Sequence, residues 1–152
     1  MLFRSVAVSR TIHDTVVDGS AAGIELFHGY TYSGHPLAAA AGIASLDLYR
    51  DEGLFERAAD LAGYWEQAVH SLKGKRHVID VRNIGIVAGI ELEPRPGAPG
   101  KRAMELFHKC FDSGLLVRVT GDIIALSPPL ILEKAHIDEM VGRIAELVAT
   151  VD

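Results

Sequence analysis

Residues His28 to Gly42 read HGYTYSGHPLAAAAG, a glycine-hinged loop running directly into a helix. Pro36 suits the first turn, where the amide it lacks would have had no intrahelical partner, and Ser33 is the expected N-cap. The alanines from Ala38 to Ala41 are the strongest of helix formers. A helix start carries unpaired N–H groups and the positive end of the macrodipole. With the hydroxyls of Thr31 and Ser33 beside it, it suits an anion, most naturally a phosphate. An ordinary capped helix with aromatic residues around its turn explains the same letters, so chemistry alone leaves both readings open.

Upstream, Val6-Ala7-Val8 is a short apolar run that reads as a strand, Thr11 to Val17 reads as a helix, and Asp18 to Gly23 is loop material before Ile24 to Phe27. Downstream, the alanine-rich helix is expected over 36–50, with Ile43, Leu46 and Tyr49 at helical spacing. Asp51 is the expected cap of a second helix, whose buried stripe is Leu54, Ala58, Leu61, Trp65, Ala68 and Leu72. Gly74 closes it. Strands follow over 78–82 and 86–92, around a turn at Asn83-Ile84-Gly85. Gly89 inside the second strand marks a bulge or a close neighbour. The run PRPGAPG, Pro94 to Gly100, is a loop. Residues 101–112 are helical, with Ala103, Leu106, Phe107 and Cys110 on one face. Residues 115–119 and 123–126 form a hairpin around Thr120-Gly121-Asp122, Ser127-Pro128-Pro129 stops it, and a last amphipathic helix spans 133–151. After residue 77 the order is β-β-α-β-β-α, which predicts helices on one face of a small sheet.

The 152 residues fit one domain of ordinary globular composition, 49% hydrophobic and 23% charged. A net charge of −5 with no run of basic residues argues against a nucleic-acid partner. A single cysteine, Cys110, allows no internal disulfide. No signal peptide or membrane-spanning stretch is evident, so the expectation is a soluble, cytoplasmic chain without a membrane partner.

Arg118 stands between apolar residues in a predicted strand, where an arginine must either reach solvent or find a partner. A guanidinium fits a carboxylate with two parallel bonds, which lysine cannot do. Cys110 lies on a helix face and reads as a buried small hydrophobe rather than a nucleophile. His28 and His35 flank the glycine loop, but seven apart and without Cys, Asp or Glu nearby they lack metal-ligand spacing, so no metal is expected. Neither a dinucleotide fingerprint, a P-loop nor a nucleophile elbow is present.

HGYTYSGHPLAAAAG resembles the corresponding segment of class III (omega-amino-acid) aminotransferases, fold-type I enzymes that use pyridoxal 5'-phosphate (PLP). Gly114-Leu115-Leu116-Val117-Arg118, then Gly121-Asp122 and Ser127-Pro128-Pro129-Leu130, resembles the C-terminal domain of the same family, and Glu91 to Arg95 adds a third match. The likeness runs from Ile24 to the C-terminus and, within the class, is greatest to β-alanine (omega-amino-acid)–pyruvate aminotransferases. It implies that Thr31, with Tyr30 before it, holds the cofactor phosphate of the other subunit of a dimer. It also implies that Arg118 binds the substrate carboxylate and swings aside for amines lacking one. The implied α/β organisation is a remnant of the large PLP-binding domain over 1–35, interdomain and following helices over 36–73, and a small α/β domain over 74–152. Substrates would be a small amine and a keto acid.

In that family the lysine that anchors the cofactor and shuttles the proton precedes the threonine motif by a few tens of residues. Here the first lysine is Lys73, and MLFRS at the start departs from the family pattern. No catalytic residue is therefore expected within the chain. The resemblance implies a C-terminal portion that does not transaminate alone. One subunit of a split enzyme and a non-catalytic dimerising module are the competing readings.

Overall fold

A computed structural model describes residues 7–20 and 31–152. The chain divides into two units, Met1–Glu52 and Gly53–Asp152. Among the described residues no helix is long and apolar enough to cross a membrane.

In the first unit, α1 (Arg10–Asp18) starts at Ser9, whose hydroxyl accepts from the Ile12 amide. Ala7 and Val8 form no strand, since nothing described lies alongside to share their backbone bonds, and Val6 lies outside the described residues. So do Ile24 to Phe27. The second helix, α2 (Pro36–Asp51), has Pro36 at its first position, and this overturns Ser33 as its cap. A residue before proline is pushed to extended backbone, so the N-cap must be His35 (ψ 123°), while Ser33 falls in the turn over 31–34. Asp51 is likewise no cap: α2 runs through it, and the break comes at Gly53 with φ 57°. Ile43, Leu46 and Tyr49 are all exposed, and α2 buries no residue.

The second unit is a four-stranded antiparallel sheet in the order β1-β2-β4-β3 with three helices, α3 (Leu54–His70), α4 (Lys101–Asp112) and α5 (Lys134–Val148). The strands are β1 (Val78–Ile84), β2 (Val87–Leu92), β3 (Arg118–Thr120) and β4 (Ile123–Leu126). Strand alternation sends Val81, Ala88, Ile90, Leu92, Ile124 and Leu126 to one face, where they meet Trp65, Val69, Leu106, Cys110, Ile137 and Ile144 from the helices. Each buried Val, Leu or Ile among them contributes about 1.5–3 kcal/mol of apolar transfer, which holds the helices on that face. The opposite face is left open.

Both hairpins turn through two residues, not the three the sequence suggests. Ile84 pairs with Val87, so Gly85-Ile86 forms the first loop; Thr120 pairs with Ile123, so Gly121-Asp122 forms the second. In each, glycine takes the positive φ (51° and 58°) that a two-residue hairpin loop demands. The third strand covers 118–120 only, not 115–119: Leu115 donates its amide back to the Cys110 carbonyl, so the chain joins the ladder later. Helix α5 stops at Val148 rather than Val151, and Glu133 caps it reciprocally with His136. Gly89 carries no bulge. A Cβ there would touch Ile123 at 3.5 Å and the Arg82 stem at 3.8 Å, so it is the close-neighbour case.

Candidate functional site

Arg118 opens β3 and pairs with Ala125. Val119 faces the core, so alternation puts Arg118 and Thr120 on the open face, exposed. Register aligns four residues into one row across that face: Arg82, Gly89, Ala125 and Arg118. Two arginines thus stand about 14 Å apart, three strand spacings, over a floor of the two smallest side chains.

Their electrostatic states differ. Arg82 donates to Asp80 at 2.5 Å and to Glu91 at 2.7 Å, and these carboxylates, Glu91 foremost, hold its pKa above the usual value. Sequence reasoning missed this triad. Its signal was present, since Asp80 and Arg82 are two apart on one strand and Glu91 faces Asp80 across the hairpin. The Arg118 guanidinium has neither hydrogen bond nor ion pair among the described residues.

Arg118 also borders a groove of about 1190 Å³ that wraps the β3 edge. Its walls are mainly apolar, with Leu116, Val117, Phe107 and Met140, and Ser127 to Pro129 also line it. The other guanidinium there, Arg143, is committed: it donates to the Ser113 carbonyl and to Glu139. Among the described residues Arg118 is then the arginine of this groove without a carboxylate partner, and a guanidinium so placed can take a carboxylate through two parallel bonds. None of the five lysines borders the groove.

Thr31, in the other unit, is exposed at the start of the turn preceding α2. His35 offers no side-chain cap, so the first α2 amides after Pro36 have no side-chain cap among the described residues, and Gly34 takes φ 70° with open space at its Cβ position. The Nδ1 of His35 is enclosed and lacks a hydrogen-bond partner among the described residues. Tyr30 and His28 lie outside the described residues.

Cys110, on α4, is fully buried, and burial pushes its thiol up to about 11. That fits a packing residue and excludes a ready thiolate.

The aminotransferase class-III profile matches residues 1–148. An omega-aminotransferase of Caulobacter vibrioides is 67% identical over 148 residues, 97% of this chain and 34% of that protein. A beta-alanine–pyruvate aminotransferase of Pseudomonas aeruginosa is 35% identical over 93% of this chain and 32% of that protein. A thermostable (S)-enantioselective omega-transaminase from Thermomicrobium roseum superposes with a TM-score of 0.79 at 31% identity, covering 93% of this chain and 32% of its own. The chain spans about a third of the length of these relatives. With its fold, its two spaced motifs and these likenesses, the chain belongs to the class III aminotransferases, a family of PLP-dependent transferases of fold type I.

Proposed function

We propose that these residues are the carboxylate-recognising and phosphate-loop portion of an aminotransferase that moves an amino group from an omega-amino acid or amine, such as β-alanine, to pyruvate. The observation carrying this is Arg118, a guanidinium without a partner among the described residues, on the wall of an apolar groove, in a chain of this family. The names of two relatives, omega-aminotransferase and beta-alanine–pyruvate aminotransferase, support the substrate class.

Bound PLP supplies the aldehyde that accepts the donor's amino group and returns it to the keto acid. Arg118 grips the substrate carboxylate through two parallel charge-assisted bonds, strengthened where the groove's apolar walls exclude water. For a donor without a carboxylate the same side chain, tied to nothing else, turns to solvent. Thr31 and the first α2 amides after Pro36 donate to the cofactor phosphate. Their fit rests on the uncapped helix start and the unpaired His35 nitrogen. Tyr30 belongs with Thr31 in this role, and the contact crosses between the two copies of a homodimer.

These residues supply no covalent anchor for PLP. Lys109 is engaged by Glu105 and Thr150, Lys134 lies over the Tyr64 ring, and no lysine precedes Lys73. On this reading the 152 residues do not transaminate alone. Exposed Leu37, Ile43 and Leu46 on α2 favour one rival reading, a dimerising module without chemistry.

A chimera separates the two. The corresponding third of the Caulobacter vibrioides omega-aminotransferase is replaced by this chain, and amino transfer from β-alanine to pyruvate is measured. The chimera is expected to turn over. Arg118→Ala within it should lower kcat/KM for β-alanine about 10- to 100-fold, the equivalent of a charged hydrogen bond of about 1.5–3 kcal/mol, and spare simple amines. A folded, PLP-loaded chimera that does not turn over would favour the dimerising module. Equal losses for both donors would remove Arg118 from the substrate role.

A further inference from the structure

The strand that carries Arg118 is a weak holder for a recognition residue. It has three residues, lies at the sheet edge and is bonded to β4 on one side only. A strand that short cannot fix its own direction through so few ladder bonds. Something outside the ladder must hold it.

Two ties do so, both to α4. At one end the Leu115 amide donates to the Cys110 carbonyl at 2.8 Å, near the C-terminus of α4. At the other, the Asp122 carboxylate accepts the Gly100 amide at 2.7 Å, at the N-terminus of α4, where a negative charge also suits the helix dipole. The Asp122 carbonyl accepts the Leu92 amide at 2.9 Å, which adds a bond to the end of β2. The approach is close as well: a Cβ on Gly100 would lie 3.5 Å from the Gly121 carbonyl oxygen, so turn and cap are in contact. Helix α4 is anchored in turn by Leu106 and Cys110 in the core and by the buried Arg102, which donates to the Glu93 and Asp152 carbonyls.

We infer that Asp122 is a positioning residue for Arg118: by bolting the β3–β4 turn to the start of α4 it sets the direction in which β3 presents the guanidinium. This rests on the reading of Arg118 as the carboxylate fork. Asp122 touches no substrate. It acts through the strand.

The test uses the isotope-labelled 152-residue chain with Asp122→Ala, Asp122→Asn and Arg118→Ala. Two quantities are read by NMR: hydrogen exchange of the β3 amides bonded to β4, and the response of the Arg118 Nε–H signal to added propionate, with propylamine as control. Asp122→Ala is expected to speed exchange in β3 about tenfold while the core amides of α3 and α5 keep their rates. It should also weaken the propionate response severalfold. Asp122→Asn keeps an oxygen acceptor for Gly100 and should restore most of both. The inference is overturned if Asp122→Ala leaves the propionate response at the wild-type level, whatever happens to exchange, because the tie is then structural alone. Should the wild-type Arg118 signal itself ignore propionate, the carboxylate reading falls and takes the positioning role with it. That result is distinct from a loss confined to the Asp122 variants.

Discussion

Arg82 and Arg118 share one row of the open sheet face, and their neighbours give them opposite capacities. Arg82 lies between two carboxylates and has no further carboxylate to seek; Arg118 has none among the described residues, so an arriving anion meets no competitor there. Cys110 shows the same control by environment. A thiol pushed up to about 11 is almost wholly protonated at neutral pH, and full burial shields it besides. A maleimide reagent at pH 7.5 should therefore leave Cys110 of the native chain unlabelled over hours and modify it within minutes in 6 M urea, read by intact mass. Rapid native labelling would mean that α4 opens far more readily than its packing implies. Trp65 likewise proved to be core, as its helical spacing suggested.

Among the elements, α2 is the least self-sufficient. Sixteen residues of helix bury nothing, carry no side-chain cap and expose apolar residues on several sides, the pattern of a helix made to be covered all round. Helix α4 is the contrary case, knotted to what surrounds it. Its Glu105 accepts from Arg95 and lies 3.2 Å from Lys109; Arg95 and Arg102 also reach the Asp152 carbonyl, and Lys109 the Thr150 carbonyl. Arg95 first, then Lys109, holds the Glu105 carboxyl below its ordinary range. A carboxylate whose pKa falls on folding stabilises the fold fully above its unfolded value and loses that contribution as pH drops through the folded one. Glu105→Gln should therefore cost about 1 kcal/mol at pH 7, and the gap to wild type should close as pH falls below about 4. Urea midpoints at pH 7 and pH 3 measure both. A gap that persists at pH 3 would assign the effect to packing instead.

For the molecule as a whole, the question is whether these residues can take up PLP covalently. Incubation with PLP, borohydride reduction and peptide mass analysis should give only scattered, substoichiometric modification of exposed lysines. A stoichiometric adduct at one lysine would show that the chain holds an anchor of its own. The letters alone were sufficient for the helices from α2 onward, the β-β-α-β-β-α order, the apolar stripe of α3 and the family, because periodicity and long motifs are local signals. They also drew attention to Arg118, since an arginine amid apolar strand residues is anomalous wherever it sits; its role as a carboxylate ligand is the proposal made above. They failed at boundaries. Ser33 and Asp51 have the chemistry of caps, but Pro36 and Gly53 override them through backbone sterics. Residues 115–117 have strand composition, yet Leu115 spends its amide on α4. Only the tertiary structure decided which arginine is free, which carboxylates neutralise the other, and that Asp122 joins the hairpin to α4. Those facts depend on strand register and on contacts between residues far apart in the chain, and hydrophobic patterning specifies which face a side chain takes without naming its partner across the sheet.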